Sequence, residues 1–234
     1  MINYAHRGAS EYAPENTFSA FYLGLSLGAN GIETDVRRTK DGKLVLFHDD
    51  RMERVTDGTG LFREYSYEEL RALRITGKNP DAAPDCIVLF EDFLRYFAFR
   101  GIRLAVELKD EEIEKEVLDL VRLYRAEDAV EITSFSFENL RRMRSLSPDI
   151  PLGYLVKEAD EAALRQLRSI NGQQICPSAA SLTPELVNLL HRDGLCVRAW
   201  GVADEQLMRH AADCGVDGMT VNFPDKLTNL LRSR

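Results

Sequence analysis

Short apolar runs recur along this chain, each followed by a helical stretch and then by the next run, and that alternation leaves few folds open. A strand, a crossover helix and a further strand make the unit of a parallel sheet. Eight such units in succession predict an α/β protein of the TIM (β/α)8 barrel type. The strand candidates are residues 2–6, 31–36, 102–108, 129–134, 151–156, 173–176, 195–200 and 216–221, and the last leads into a closing helix at 225–231. The length of 234 residues is near the roughly 250 of such a barrel, so one catalytic domain over 1–234 is expected.

Helix starts carry their own chemistry. Pro14-Glu15-Asn16-Thr17, Thr183-Pro184-Glu185 and Pro224-Asp225 each precede an apolar-periodic stretch, as capping side chains and first-turn prolines do. One interval breaks the rhythm. Between the second and third strands lie an extra strand candidate at 43–47, a Gly/Thr/Asp-rich turn at 56–60 and a polar stretch at 76–85. Residues 49–88 are therefore expected to form a lobe inserted over the C-terminal end of the barrel.

The formal charge of -8 opposes nucleic acid and anionic lipid surfaces, so an anionic substrate needs a locally positive site. Neither a nucleic-acid partner nor stable membrane association is expected; the aromatic face Phe93, Tyr96, Phe97, Phe99 is read as packing on the barrel. The four cysteines form no CxxC pair and read as small buried hydrophobes. The opening MINYAHRGAS turns polar too soon for a secretory signal, so a cytoplasmic location is expected. Nothing in the sequence speaks to oligomeric state.

Parallel barrel strands are covered on both faces and should be apolar, yet the second strand holds Glu33 and Asp35 and the third ends on Glu107 and Lys109. Residues two apart on a strand share a side. Like charges about 5 Å apart repel by roughly 3 kcal/mol at an effective dielectric near 20, which a divalent cation relieves. All-oxygen ligands favour Mg²⁺ or Ca²⁺, with Mn²⁺ as a further candidate, over zinc. His6 and His48, two of only four histidines, directly follow apolar strands at the same predicted end, where barrels of this kind carry their active sites. Imidazole suits proton transfer near neutral pH. Arg7 and Lys109 supply positive charge for phosphate oxygens, for pairing with the nearby acids, or for both. Trp200 is either a pocket wall or a core indole, and Glu15 and Asn16 are candidates to orient the site, although helix capping alone accounts for Asn16 and Thr17.

In order along the chain, His6-Arg7-Gly8, Pro14-Glu15-Asn16-Thr17, Glu33-x-Asp35, His48-Asp49 and Glu107-x-Lys109 resemble the motifs of the glycerophosphodiester phosphodiesterase family. The resemblance continues through Ser134-Phe135, Trp200, Gly215-Val216-Asp217-Gly218 and Pro224-Asp225. It implies metal-dependent hydrolysis of a small-molecule glycerophosphodiester to sn-glycerol 3-phosphate and an alcohol. The metal would be held by Glu33, Asp35 and Glu107, with His6 and His48 as the acid/base pair, Arg7 and Lys109 on the phosphate, and a small lobe after His48. It also implies the glycerol C2 hydroxyl as first nucleophile, through a cyclic phosphate. Gly201-Val202-Ala203 and Thr220-Val221-Asn222 depart from the family pattern and bear on substrate shape. Two other readings stand beside this one: a related barrel phosphodiesterase or phospholipase acting on lysophospholipids, and a non-catalytic barrel that binds a phosphate ester.

Overall fold

The computed structural model describes residues 1–234. The chain forms nine strands and nine α-helices. The strands are β1 (Ile2–His6), β2 (Gly31–Arg38), β3 (Leu44–Leu46), β4 (Arg103–Leu108), β5 (Val130–Ser134), β6 (Leu152–Val156), β7 (Gln174–Pro177), β8 (Cys196–Val202) and β9 (Gly218–Val221). The helices are α1 (Phe18–Ser26), α2 (Tyr67–Arg71), α3 (Phe90–Phe97), α4 (Glu114–Leu123), α5 (Phe137–Leu146), α6 (Glu161–Ser169), α7 (Pro184–Arg192), α8 (Glu205–Cys214) and α9 (Pro224–Arg232). Eight strands run parallel in the order β1-β9-β8-β7-β6-β5-β4-β2, and a β1–β2 pairing closes the ring. The expected (β/α)8 barrel is therefore the fold. The additional strand candidate at 43–47 forms as β3, but it pairs antiparallel with the end of β2 and stands outside the ring.

Helix starts follow the sequence signals. The Thr17 side chain accepts from the Ala20 N–H to cap α1, Thr183 caps α7 with Pro184 in its first turn, and Pro224 opens α9. Gly8, just past β1, has φ +85°, and a Cβ there would sit 2.5 Å from the backbone of Ala20. Only glycine permits both that dihedral and that approach between the first strand and α1.

Apolar residues of the strands face the helices: Ile32, Val36, Leu104, Val106 and Ile132 join Phe90, Phe93, Leu94 and Phe97 in one core cluster, and a second fills the β7–β9 side. Phe93 and Phe97 pack as expected, whereas Tyr96 is exposed because an amphipathic helix buries only one stripe, and Phe99, two residues past the end of α3, is exposed as well. Cys176 and Cys214 are buried, but Cys86 and Cys196 are exposed, contrary to a uniform reading as core residues.

The barrel interior is polar. The Tyr4 hydroxyl lies 3.3 Å from Glu131 across the ring. The fully buried Arg198 donates to Gln174 (2.9 Å) and Thr220 (3.0 Å), and its guanidinium lies 5.1 Å from the centre of the Tyr4 ring. The expectation of near-continuous apolar strands thus holds for the helix-facing positions, while the alternating inward positions form a hydrogen-bonded plug.

Residues 49–88 enclose a separate small apolar cluster of Val45, Phe47, Met52, Val55, Phe62, Leu70, Ile75 and Ile87. Antiparallel bridges Arg51–Leu61, Thr56–Ile75 and Ile75–Asp85 knit it together, and a capping box of Ser66 and Glu69 starts α2.

Candidate active site

At the C-terminal ends of β1, β2 and β4 the strand register sets charged side chains beside one another. His6 is in register with Glu33, and Asp35 with Glu107. Alternation then points Glu33, Asp35 and Glu107 to the same side. Their carboxylate oxygens lie within 4.8 Å of one another, and all three residues are buried. At that spacing each pair repels by roughly 3 kcal/mol at an effective dielectric near 20.

Two cations answer part of this charge. Arg7 Nε lies 3.1 Å from Asp35 Oδ2, and Lys109 Nζ lies 2.8 Å from Glu107 and 3.9 Å from Asp35. Burial acts to raise the pKa of Asp35, but Arg7, His48 and Lys109 outweigh it and hold it down at about 2. Glu33 has less compensation: burial, then the charges of Asp35 and Glu107, push it up to about 8. Burial and Asp35 also raise Glu107. Asp35 Oδ1 is buried without a hydrogen-bond partner. An unsatisfied carboxylate oxygen within a cluster of three acids fits the donor set of a hard divalent cation.

The segment after β1 is strained into place. Arg7 and Asn16 both adopt left-handed backbone conformations, at φ 54° and 58°, which asparagine accepts readily and a long side chain such as arginine seldom does. The Arg7 N–H donates to the Glu33 carbonyl (2.8 Å), and the Asn16 N–H donates to the Arg7 carbonyl (2.9 Å). Asn16 also donates its side-chain amide to Asp35 (2.9 Å) and accepts from the Thr34 hydroxyl (2.7 Å). Asn16 thus locks the Arg7 turn onto β2, and Thr17 is the residue that caps α1.

The two histidines face one cleft of about 220 Å³, also lined by Arg7, Glu33, Glu107 and Arg198 on its polar side and by Phe135, Leu155 and Trp200 on its apolar side. His6 Nδ1 lies 2.6 Å from Asn222 Oδ1, and His48 Nδ1 lies 2.6 Å from Asp49 Oδ1. Asp49, held near pKa 2 by Arg54 and His48 against the effect of burial, is an acceptor only, so His48 carries its proton on Nδ1. In each ring Nε2 is the remaining nitrogen, and that of His6 is 3.8 Å from Glu33. Burial lowers both imidazole pKa values, to about 4 for His6, where Arg7 adds to the effect.

Trp200 sits at a bulge in β8, where the register to β9 shifts between Ala199 and Val202, and such bulges re-aim side chains beside active sites. Its indole donates to the Val156 carbonyl (2.9 Å), and its ring meets Phe135 edge to face at 5.0 Å. Glu15 faces Arg7 (2.8 Å) as well as Arg54, which lies in residues 49–88. Lys109 stands beside the cleft, against Glu107, in a shallow depression shared with Arg37, His48 and Asp49. His191 and His210 are exposed on α7 and α8.

Several contributors were not foreseen. Asn222 follows β9, and nothing local marks it as a histidine partner. Arg37, two residues beyond Asp35 on the same side of β2, clamps the His48 carbonyl with Nε (3.0 Å) and Nη2 (2.9 Å); the run Glu33-x-Asp35-x-Arg37 was its signal. Arg198 was detectable as an arginine inside a strand otherwise read as apolar.

Fold and site together define a barrel protein with an acid cluster, two histidines and phosphate-competent cations at the C-terminal ends of its strands. The glycerophosphoryl diester phosphodiesterase family model matches residues 6–226, and the chain belongs to that family. It is 33% identical over 238 residues to the uncharacterized protein YqiK of Bacillus subtilis, covering 98% of each chain. It is 31% identical to a glycerophosphodiester phosphodiesterase of Caldanaerobacter subterraneus, covering 97% of this chain and 96% of that one. Among solved structures, a phosphodiesterase of Oleispira antarctica in complex with the product sn-glycerol-3-phosphate superposes with a TM-score of 0.89 at 26% identity, over 99% of this chain and 97% of that one. A glycerophosphodiester phosphodiesterase of Agrobacterium tumefaciens superposes with a TM-score of 0.86 at 28% identity, over 98% and 100%.

Proposed function

We propose that this chain hydrolyses glycerophosphodiesters to sn-glycerol 3-phosphate and the free alcohol, with His6 and His48 sharing the proton transfers. The observation that carries the reading is the placing of two imidazoles on one cleft beside a buried acid cluster, each tied through Nδ1 by an acceptor. That tie fixes the ring and leaves Nε2 for the reacting oxygens. Burial keeps the free imidazoles neutral, and an anionic phosphodiester arriving beside them raises their pKa values again.

Glu33, Asp35 and Glu107 are the residues to hold one divalent cation, Mg²⁺ or Ca²⁺ with Mn²⁺ as a further candidate. A bound cation supplies charge neutralisation at the phosphoryl oxygens. Arg7 contributes a guanidinium from the polar wall and Lys109 an ammonium from beside it, both set before the substrate arrives. Phe135, Leu155 and Trp200 give the glycerol carbons an apolar wall. One histidine takes the proton of the attacking C2 hydroxyl as its oxygen bonds to phosphorus. The other delivers a proton to the head-group oxygen as that P–O bond breaks, and water then opens the cyclic phosphate.

Residues 49–88 form the inserted lobe that lies over this end of the barrel and shapes head-group access. Arg54 contacts Glu15, and Gly77 approaches the Ala13–Pro14 backbone. No helix is long and apolar enough to cross a membrane. Release of glycerol 3-phosphate from glycerophosphocholine and glycerophosphoethanolamine, with lysophosphatidylcholine in parallel, tests the proposal. Turnover confined to lysophosphatidylcholine would replace it with a phospholipase reading, and binding without turnover would leave a phosphate-ester sensor.

A further inference from the structure

Arg54 projects from the inserted lobe between two carboxylates and engages both. Its Nη1 and Nη2 donate to Glu15 at 2.8 and 2.7 Å, while Nε and Nη2 donate to Asp49 at 2.5 and 3.0 Å. Each carboxylate passes the contact on. Asp49 Oδ1 meets His48 Nδ1 at 2.6 Å, and Glu15 Oε1 accepts from Arg7 Nη1 at 2.8 Å. The result is an unbroken chain, His48–Asp49–Arg54–Glu15–Arg7, that links two residues lining the cleft through a residue of the lobe.

The chemistry of each link is specific. A guanidinium presents five donors in one plane and matches two carboxylates at once, which an ammonium cannot. Glu15 is buried and its pKa is lowered, the effect of burial being outweighed by Arg54 and Arg7. Asp49 is adjacent to His48 in the chain, so its rotamer sets whether the imidazole has an acceptor on Nδ1. Without Arg54, Asp49 keeps only the imidazole as a partner and Glu15 keeps only Arg7. Arg54 itself remains 44% exposed at its side chain. An ion pair this open on the guanidinium side contributes a modest share of stability, so its geometry serves orientation as well as folding.

We propose that Arg54 is a positioning residue by which the lobe fixes the His48 imidazole and the Arg7 guanidinium in one mutual arrangement. The roles of His48 and Arg7 rest on the function proposed above. One contact from the lobe then sets a proton-transfer group and a phosphate-binding cation together, and displacement of the lobe releases both. A misplacement near 1 Å in such a constellation costs on the order of 10²-fold in rate.

The test uses the full-length protein and needs no substrate in its decisive arm. Side-chain ¹⁵N spectra report the tautomer of each imidazole, with His48 assigned by its loss in His48→Gln. In the unsubstituted protein His48 should hold its proton on Nδ1. In Arg54→Met the Nε2–H form of His48 should grow while His6, tied to Asn222, keeps its tautomer. Arg54→Lys should fall between the two, and it carries the same measurement if Arg54→Met does not fold. Steady-state turnover of glycerophosphocholine should show kcat lowered about 10–100-fold in Arg54→Met, KM raised through Arg7, and the melting temperature modestly lowered. An unaltered His48 tautomer in a folded Arg54 variant overturns the proposal whatever the activity does. Absence of glycerophosphodiester turnover in the unsubstituted protein would count against the proposed function, and the tautomer would still decide the role of Arg54.

Discussion

His48 and Asp49, neighbours in sequence, hold their side chains 2.6 Å apart from Nδ1 to Oδ1, and the same Asp49 carboxylate accepts from Arg54. The pair sets a pH dependence with a definite sign. Burial acts against ionisation of Asp49, but Arg54 and His48 depress its pKa to about 2 from an ordinary 3.8. A depressed carboxylate contributes stability that is present above its unfolded pKa and is lost as pH falls through the folded one. The stability difference between the native sequence and Asp49→Asn should therefore stay level at neutral pH and begin to shrink as pH drops below about 5. Denaturant midpoints at several pH values measure it, and a difference that widens toward acid would contradict the assignment.

Removal of the metal should silence the enzyme and leave the barrel intact. Glu33, Asp35 and Glu107 repel one another, and Asp35 Oδ1 has no partner, so the cluster gains from a cation more than folding requires one. Glu33→Gln, Asp35→Asn and Glu107→Gln should each abolish cation-dependent turnover with far-ultraviolet circular dichroism unchanged. Full activity after exhaustive chelation would show that these acids serve only as partners of Arg7 and Lys109.

The parts of this site that were legible in sequence are those fixed by local periodicity. Glu33 and Asp35 share a side because the strand period is two, and His6 and His48 close apolar runs at the end where barrel sites form. What periodicity cannot give is the identity of a residue reached across the barrel or from an insertion. Asn222 is 216 residues from His6, and only ring closure between β1 and β9 brings them together. Arg54 acts through two carboxylates in different segments, so no spacing rule marks it. Arg198 and Glu131 lie within strands whose surrounding pattern reads as apolar, and the plug they build becomes visible only when inward and helix-facing positions are separated by the closed sheet.

That plug should carry measurable stability. Arg198 is fully buried, and the Glu131 carboxylate, buried and raised in pKa by its burial, has one oxygen without a partner. Loss of the guanidinium removes the nearby positive charge that offsets the burial of Glu131 and leaves Gln174 and Thr220 without that donor, and each buried polar group left unpaired costs about 1–3 kcal/mol. Arg198→Met should destabilise the barrel on that order, and adding Glu131→Gln should restore part of the loss. Strictly additive effects of the two substitutions in equilibrium unfolding would mean that the residues do not compensate each other.

The lobe should govern selectivity more than folding. Its residues Met52, Val55, Phe62, Leu70, Ile75 and Ile87 pack with Val45 of β3 and Phe47 in an apolar cluster distinct from the two around the barrel. The stretch 76–85 is largely exposed. Replacing 78–83 with a short Gly/Ser linker should change the ratio of kcat/KM between glycerophosphocholine and glycerophosphoethanolamine while the thermal midpoint moves little. Collapse of the whole barrel on that change would place these residues in the core of the fold.

The histidines give the test that reaches the reaction itself. His6 and His48 lie on one cleft with Nδ1 engaged and Nε2 free, so each can serve one proton transfer, and each should contribute about 10²–10⁴-fold. His6→Ala and His48→Ala should lower kcat by factors in that range while calorimetry still records binding of glycerol 3-phosphate and metal. If the two act on one proton relay, the double variant should fall less than the product of the single losses. A substrate lacking the glycerol C2 hydroxyl then separates two routes. If that oxygen is the first nucleophile, the 2-deoxy analogue binds and is not cleaved. If the analogue is cleaved at a rate near that of the parent, water is the direct nucleophile and no cyclic phosphate forms. An unimpaired double histidine variant would remove both imidazoles from the chemistry and leave the acid cluster and its cations to account for turnover alone.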